Sequence, residues 1–126
     1  MRTIKFRGKR LDNGEWVVGH LGIMWNEWHI FGWDDTNTAY PVDPATIGQY
    51  TGMKDKAGQD IFEGDVLRIP QIPYFKGGNG YVLFIDDRIS VKDGEESEWR
   101  LTWVVQESND GIIGNIYDNP ELIKTE

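Results

Sequence analysis

Hydrophobic and polar residues alternate along most of this chain, which is the pattern of half-buried β-strands. Near the N-terminus, Ile4 and Phe6 alternate with polar and basic residues. The Asp-Asn-Gly run at 12–14 then predicts a tight turn, because Asn and Gly both tolerate positive φ. Two further strands are predicted at 15–23 and 28–33. Together these segments predict an N-terminal β-meander.

The rest of the sequence continues as short apolar runs separated by Gly, Pro, Asn and Asp. In the segment 98–106, Trp99, Leu101 and Trp103 alternate with polar residues, so we expect it to be a strand throughout. The full set of strands predicted after residue 41 covers 47–51, 61–62, 66–69, 81–85, 89–92, 98–106 and 112–117.

Helical structure is expected only as single turns. Pro41 and Pro44 exclude a longer helix across them, and Asp43 is placed to cap one turn at 44–46. A second turn is predicted at 119–123. The predicted fold class is therefore mostly β, with the strands from 46 to 117 forming a small barrel or sandwich.

The composition is that of one globular domain, with 39% hydrophobic and 27% charged residues in 126. We expect a single domain over 1–126, divided into the meander (1–40) and the barrel portion (41–126). No apolar run is long enough to span a membrane, and the N-terminus lacks the apolar core of a secretory signal. The absence of cysteine excludes disulfides, thiolate nucleophiles and Cys-ligated zinc, and favours a cytoplasmic location.

The net charge of −8 is unevenly distributed. The first ten residues contain five basic residues and no acid, whereas all 21 acidic residues lie further along the chain. An acidic body disfavours non-specific binding to nucleic acid, which depends on Lys and Arg contacts with phosphates. This argument does not apply to the basic N-terminus, where nucleic-acid binding stays open.

No pattern of catalytic or metal-ligating residues is present. His20 and His29 lie nine residues apart without a cysteine or a metal-binding spacing, and a core or strand-edge position explains both. Most aspartates neighbour turn-forming residues, where they bond to nearby backbone N–H groups. The glycine-rich run 77–80 lacks the lysine and the helix of a phosphate-binding loop. We therefore predict no enzyme and no cofactor, with a small hydrolase using clustered carboxylates as a remote alternative.

Four large aromatic rings lie close together at Trp25, Trp28, Phe31 and Trp33. Strand alternation places Trp28 on the face opposite Phe31 and Trp33, so both faces of the predicted hairpin are apolar. Either the hairpin is covered on both faces, or one face binds a partner. Protein–protein contact and plain core packing are both open here, and base stacking is disfavoured by the acidic neighbours Asp34 and Asp35.

Lys5, Arg7 and Lys9 are the second candidate for partner binding. If Ile4 and Phe6 point inward, these three side chains point outward in a row. Three interpretations remain open: an edge strand protected by its charges, an ion-pair contact with the acidic body of a second copy, and nucleic-acid binding.

Several stretches, in their order and spacing, resemble the YopX-like family of bacteriophage and prophage proteins. The resemblance covers nearly the whole chain, and it rests on 5–10 leading into 14–17, then on 42–44, 47–52, 54–58, 61–66 and 113–122. It implies an SH3-type β-barrel, a phage or prophage origin and a role in the bacterial host cytoplasm. It implies no activity and no catalytic residue.

The residues that carry the resemblance are mostly turn formers, which indicates that they fix the fold. In such barrels Gly64 supplies the conformational freedom for a corner, and Asp65 bonds to the loop backbone. The best-matched residues are Gly48, Tyr50, Gly52, Gly64, Asp65, Asn115 and Pro120.

The sequence as a whole predicts a non-enzymatic interaction module. We expect it to form a homo-oligomer and to bind a phage or host protein through the hairpin at 25–33 or the barrel loops. The alternative is a nucleic-acid accessory protein that uses the basic N-terminal strand.

Overall fold

Strands dominate the residues described by the computed structural model, which are 3–33, 37–94 and 97–123. They form two antiparallel sheets, so the mostly β fold class is confirmed. Residue contacts divide the chain into two compact units, Met1–Gly52 and Met53–Glu126. The boundary falls after Gly52 rather than after residue 40. The prediction of a single domain stays a prediction.

The N-terminal unit is an antiparallel sheet in which the strands run in the order β4-β3-β2-β1-β5. Its first three strands are consecutive neighbours, β1 with β2 and β2 with β3, as the predicted meander requires. The strands are β1 (Phe6–Lys9), β2 (Trp16–Met24), β3 (Glu27–Gly32), β4 (Ala39–Pro41) and β5 (Gly48–Lys54), the last of which continues into the C-terminal unit.

The turn between β2 and β3 has positive φ at two consecutive residues, Trp25 (49°) and Asn26 (64°). This is the backbone of a two-residue hairpin turn whose twist matches that of the flanking strands. Beneath the hairpin, Ile30 and Val42 are fully buried. Gly8 lies against them, since a Cβ at this position would be 3.2 Å from the Val42 side chain.

The predicted helical turn at 44–46 is present as a 3-10 turn, Pro44–Thr46. The Asp43 carboxylate caps it by accepting a 3.0 Å hydrogen bond from the Ala45 amide. The buried hydroxyl of Thr46 accepts a 2.9 Å hydrogen bond from the Lys9 amide, which fixes the turn against β1. The sequence signal for this cap is confirmed.

The C-terminal unit is built on a five-stranded antiparallel sheet in the order β10-β9-β8-β7-β11. Neither sheet is closed into a barrel in the described part of the chain, so the SH3-type barrel is not confirmed. The elements are β6 (Asp60–Phe62), β7 (Asp65–Ile69), β8 (Gly78–Ile85), β9 (Arg88–Lys92), β10 (Glu98–Arg100), α1 (Leu101–Glu107), β11 (Gly114–Asn115) and a 3-10 turn at Pro120–Leu122.

The core of this unit lies between one face of its sheet and the helix α1. Leu101 and Val104 are buried on one side of the helix. They pack against buried strand residues, which are Ile61, Leu67, Ile69, Val82 and Val91. The described part of the chain contains no helix long and apolar enough to cross a membrane.

The strand predicted over 98–106 is wrong after Arg100, where α1 begins. Leu101 and Val104 follow the i, i+3 spacing of a helix, and burial of this stripe stabilises the helix. Alternation at Trp99, Leu101 and Trp103 satisfies a strand pattern equally well. The tertiary contacts of the helix decide between the two.

The strand predicted over 112–117 is also wrong in extent, because β11 contains only Gly114–Asn115. The Asn115 side chain ends it by accepting hydrogen bonds from the amides of Tyr117 (3.0 Å) and Asp118 (2.9 Å). A local side-chain bond of this kind offers the backbone a turn in place of a strand.

Candidate interaction surfaces

The basic strand β1 lies inside its sheet. Phe6 pairs with Gly19 of β2 on one side and with Gln49 of β5 on the other. The interpretation of Lys5, Arg7 and Lys9 as guards of an exposed sheet edge is therefore wrong. An interior strand has both rows of backbone groups paired, so its charges serve another purpose than blocking edge-to-edge aggregation.

The side chains of β1 instead lie over aromatic rings. The Lys5 Nζ atom is 4.8 Å from the Tyr50 ring centroid and 5.5 Å from that of Trp33. The Arg7 guanidinium carbon is 4.5 Å from the Trp16 ring centroid. Cations at these distances are attracted by the electron-rich faces of the rings.

Lys9 shares the Trp16 ring with Arg7, at 5.6 Å from the ring centroid. The pairing of Arg7 with Val18 and of Lys9 with Trp16 places all of these side chains on one face of the sheet. We call this the basic face; it consists of Lys5, Arg7 and Lys9 with the rings of Trp16, Trp33 and Tyr50.

Two of the four predicted aromatic residues also lie on this face. Phe31 pairs with His20 across β2 and β3, and the Trp33 ring lies tilted by 34° against His20 with ring centroids 4.8 Å apart. Because Lys5 reaches Trp33, the structure brings Lys5, Phe31 and Trp33 together on one side of the sheet.

The other two aromatic residues lie elsewhere, at the end of the β2–β3 hairpin. Trp28 pairs with Ile23 on the opposite face of the sheet, as alternation predicted, and both are exposed. Trp25 occupies the turn itself and is 83% exposed. We call Ile23, Trp25 and Trp28 the hairpin end. Three large, exposed apolar side chains at the end of one hairpin form a candidate contact surface.

The two histidines take different environments. His29 is buried, with its Nδ1 atom 3.0 Å from the Glu27 carbonyl oxygen, whereas His20 is exposed beside Trp33. Residues 3–33, 37–94 and 97–123 contain no group of three or more His, Asp or Glu side chains placed to hold a metal ion.

Two buried carboxylates serve the backbone. Asp65 accepts a 2.8 Å hydrogen bond from the Phe62 amide across the Gly64 corner, where φ is 94°. This is the corner that the sequence predicts. Asp55 accepts hydrogen bonds from the amides of Ala57, Gln59 and Ile112.

The environment of Asp55 lowers the pKa of its carboxyl group. Burial raises this pKa, but the hydrogen bonds from the Ile112, Gln59 and Ala57 amides outweigh burial and hold it below its ordinary value. A carboxylate stabilised in its charged form by three amides is a poor proton acceptor. The geometry at Asp55 is that of a structural carboxylate.

Sequence reasoning did not anticipate a groove of about 730 Å³ on the C-terminal unit. Arg68 of β7 and Asn79 of β8 line it as a directly paired set. The loop between these strands contributes Tyr74, which is 97% exposed, and Lys76. Glu121 lines the groove from the last 3-10 turn. The available sequence signal was the aromatic residue Tyr74, which lies shortly before the glycine pair Gly77–Gly78.

A second, smaller depression adjoins this groove, and Arg68, Lys76 and Gly77 line both of them. The two cations therefore lie where the depressions meet. In the described part of the chain neither the Arg68 side chain nor the Lys76 side chain forms a hydrogen bond or an ion pair. Elsewhere in this unit Arg88 pairs with Glu98 at 2.8 Å, and Lys54 pairs with Asp60.

In a comparison with sequence families, residues 5–124 match the model described as YopX protein. The chain belongs to the YopX family. The resemblance found in the sequence is therefore confirmed over almost the whole length. The comparison with curated proteins and the comparison with solved structures found no match.

Of the residues that carry the YopX resemblance, Gly48, Tyr50 and Gly52 lie in β5, whereas Gly64 and Pro120 lie in turns. Asn119 closes the last of these turns, because its Oδ1 atom accepts from the Asn115 amide at 3.2 Å. Gly114 must lack a side chain, since a Cβ there would lie 2.6 Å from the same oxygen. The residues from Gly114 to Leu122 thus hold the backbone of this turn in one conformation.

Proposed function

We propose that this YopX-family chain is a non-enzymatic interaction module that self-associates through the hairpin end. The proposal includes a phage or prophage origin, which the family resemblance implies. It also includes a role in the bacterial host cytoplasm, which the absence of cysteine supports. The exposure of Ile23, Trp25 and Trp28 is the observation that carries it.

The shape of the hairpin end favours a second copy of this chain as the partner. Most homo-oligomers are twofold symmetric, and a twofold interface uses the same patch on both subunits. Trp25 lies in the turn and Trp28 near the start of β3, so two hairpins that meet end to end bring like apolar surfaces together. Aromatic side chains contribute most to such contacts, because each buries a large area with few rotatable bonds.

The arrangement of the acids supports a binding role over catalysis. Asp55 and Asp65 are committed to backbone amides, and His29 is buried beside the Glu27 carbonyl. A catalytic acid and base need a shared pocket that separates their pKa values. These side chains instead belong to separate elements, since His29 lies in β3, Asp65 begins β7 and Asp55 follows β5.

Self-association is tested by light scattering behind size exclusion over a dilution series. We expect the wild-type chain to show a mass approaching twice 14.5 kDa at high concentration. The double variant Trp25→Ala/Trp28→Ala is expected to stay monomeric, because it removes both rings of the contact. Tyr74→Ala is the matched control, since it removes an exposed ring from the other unit. A strictly monomeric wild type, or a variant as dimeric as the wild type, contradicts the proposal.

The basic face supports a second candidate function, the binding of single-stranded nucleic acid. Proteins of this class combine cations that follow the phosphates with rings on which bases stack. Lys5 and Arg7 beside Trp16 and Trp33 supply both elements on one face. The net charge of −8 opposes this function, which is why it ranks second.

Fluorescence anisotropy with a labelled oligothymidine tests the second candidate. We expect Lys5→Glu/Arg7→Glu to abolish binding and to remove its salt dependence. Lys5→Arg/Arg7→Lys keeps both positive charges and all of the aromatic rings on which bases would stack, so it serves as the control variant. Absence of binding by the wild type at low salt refutes this candidate.

A further inference from the structure

We infer that the groove on the C-terminal unit is a second binding site, for an extended peptide that carries a carboxylate at its centre. This inference is independent of the hairpin end, since the residues involved belong to another unit. It rests on the distribution of charge along the two adjoining depressions and on the apolar wall of the larger one.

Charge alternates along the track formed by the two depressions. Asp110 lines only the smaller depression, Asp93 and Glu121 line only the larger, and Arg68 and Lys76 line both. A ligand that follows the track therefore meets an acidic end, a basic centre and a second acidic end. The complementary ligand has its negative charge at the centre and neutral or basic groups at both ends.

The basic centre is open to a ligand. Both cations are exposed, and within the described ranges no acidic side chain pairs with them. A carboxylate accepts two parallel hydrogen bonds from a guanidinium, and an ammonium adds a third. Arg68 supplies the guanidinium and Lys76 the ammonium.

The wall of the larger depression suits the rest of a peptide. Tyr74 is almost fully exposed on its rim, with Phe75 and Leu122 further along the wall. Asn79 fixes this wall, because its Nδ2 atom donates to the Leu122 carbonyl at 3.0 Å. The Oδ1 atom of Asn79 is buried and accepts no hydrogen bond from the described residues. A peptide supplies apolar side chains for such a wall.

The same charge pattern disfavours a nucleic-acid strand in this groove. A single strand carries a phosphate on every nucleotide, so a strand that follows the track places phosphates beside Glu121 and Asp110 as well as beside the cations. Like charges in such proximity oppose binding. A peptide carries its single carboxylate only where the cations lie.

The test begins with a random heptapeptide display library selected on the whole chain. We expect the enriched peptides to share one Asp or Glu at a fixed central position. Enrichment of that acid should disappear when the selection is repeated on Arg68→Ala/Lys76→Ala. The matched control is Lys56→Ala/Arg100→Ala, which removes one lysine and one arginine outside the groove and should leave the selection unchanged.

The best enriched peptide is then synthesised, and its binding is measured by fluorescence polarisation. We expect Arg68→Ala/Lys76→Ala to weaken it at least about tenfold, and replacement of its acid by the amide to do the same, because hydrogen bonds to charged groups contribute at least that factor. Glu121→Gln should weaken the binding of peptides that carry a basic residue at one end.

Three results overturn the inference. The first is a selection that enriches no central acid. The second is binding that Arg68→Ala/Lys76→Ala leaves unchanged. The third is tighter binding of an oligothymidine than of the selected peptide, lost in the same variant, which assigns the groove to polyanions. Loss of self-association in the hairpin variant bears on none of these measurements, so the two proposals fail separately.

Discussion

Asp55 joins two segments of the C-terminal unit that lie far apart in the sequence. Its Oδ1 atom accepts from the Ala57 and Gln59 amides within its own turn, and its Oδ2 atom accepts from the Ile112 amide at 3.0 Å. Gly111 makes this approach possible, because a Cβ there would lie 2.5 Å from Oδ2. One buried carboxylate therefore fixes both a hairpin turn and a distant loop.

Loss of the Asp55 charge should destabilise the fold in a pH-dependent way. Because its pKa is lowered on folding, the ionised group contributes stability above its unfolded pKa of about 3.9, and this contribution is lost as the pH falls below that value. We expect Asp55→Asn to lower the free energy of unfolding at pH 7 by about 2–3 kcal/mol. Its stability should then change less than that of the wild type between neutral and acidic pH.

Urea unfolding of both chains from neutral pH to below the unfolded pKa of Asp55 measures this difference. Asp87→Asn is the control, because Asp87 is exposed and its loss should change stability by less than about 0.5 kcal/mol. Equal pH slopes for wild type and Asp55→Asn contradict the argument.

Gly111→Ala tests the same contact from the other side. The added methyl group displaces the Asp55 carboxylate from the Ile112 amide, so we expect a loss of about 1–3 kcal/mol, comparable to an unsatisfied buried donor. In the double variant Gly111→Ala/Asp55→Asn the two losses should be less than additive. If the two losses measured by urea unfolding are additive, Gly111→Ala does not act through the Asp55 carboxylate, and the argument is contradicted.

The turns were predictable from sequence because their signals are local. The cap at Asp43 and the corner at Gly64 and Asp65 each depend on residues within three positions of one another. Asn115 was recognised as a family residue, but its effect on the length of β11 was not predicted. That effect depends on its competition with strand pairing.

At the scale of elements, α1 shows where local pattern fails. The segment that follows Arg100 fits a period of two through Trp103 and a helical period through Val104. Burial of Leu101 and Val104 against the sheet core selects the helix. Such burial depends on strands that lie earlier in the chain, so no window of sequence around the segment contains the deciding contact.

Thr102→Ala distinguishes the two structures for this segment. Thr102 is exposed within α1, and Ala has the higher helix propensity, so we expect a gain of about 0.5 kcal/mol in the free energy of unfolding. A strand at this position predicts the opposite sign, because Thr is favoured in strands. Thr102→Gly should cost about 0.5 kcal/mol relative to the wild type. A loss of stability in Thr102→Ala contradicts the helix.

At the scale of the whole molecule, the two candidate sites differ in how far sequence could reveal them. The hairpin end comes from one short segment, so its rings were found by inspection. The groove combines Arg68, Lys76 and Glu121, which lie on separate elements of the C-terminal unit. Only the strand register and the position of the last 3-10 turn bring these side chains together.

The salt dependence of self-association separates two explanations for it. If the apolar hairpin end is the interface, the dimer should persist or strengthen at high salt, because charge screening leaves apolar contacts intact. If the basic N-terminus pairs with the acidic body of a second copy, high salt should dissociate it. Light scattering at low and high sodium chloride decides between them, and we expect the first outcome.

The interior position of β1 also bears on how the chain is made. During synthesis β1 pairs on one side with β2, but its other neighbour, β5, is synthesised about 40 residues later. At a synthesis rate of about 5–20 residues per second, half of its hydrogen-bonding groups wait several seconds for a partner. Any nascent chain that stalls before Gln49 emerges is left with an open strand ready to pair with another molecule.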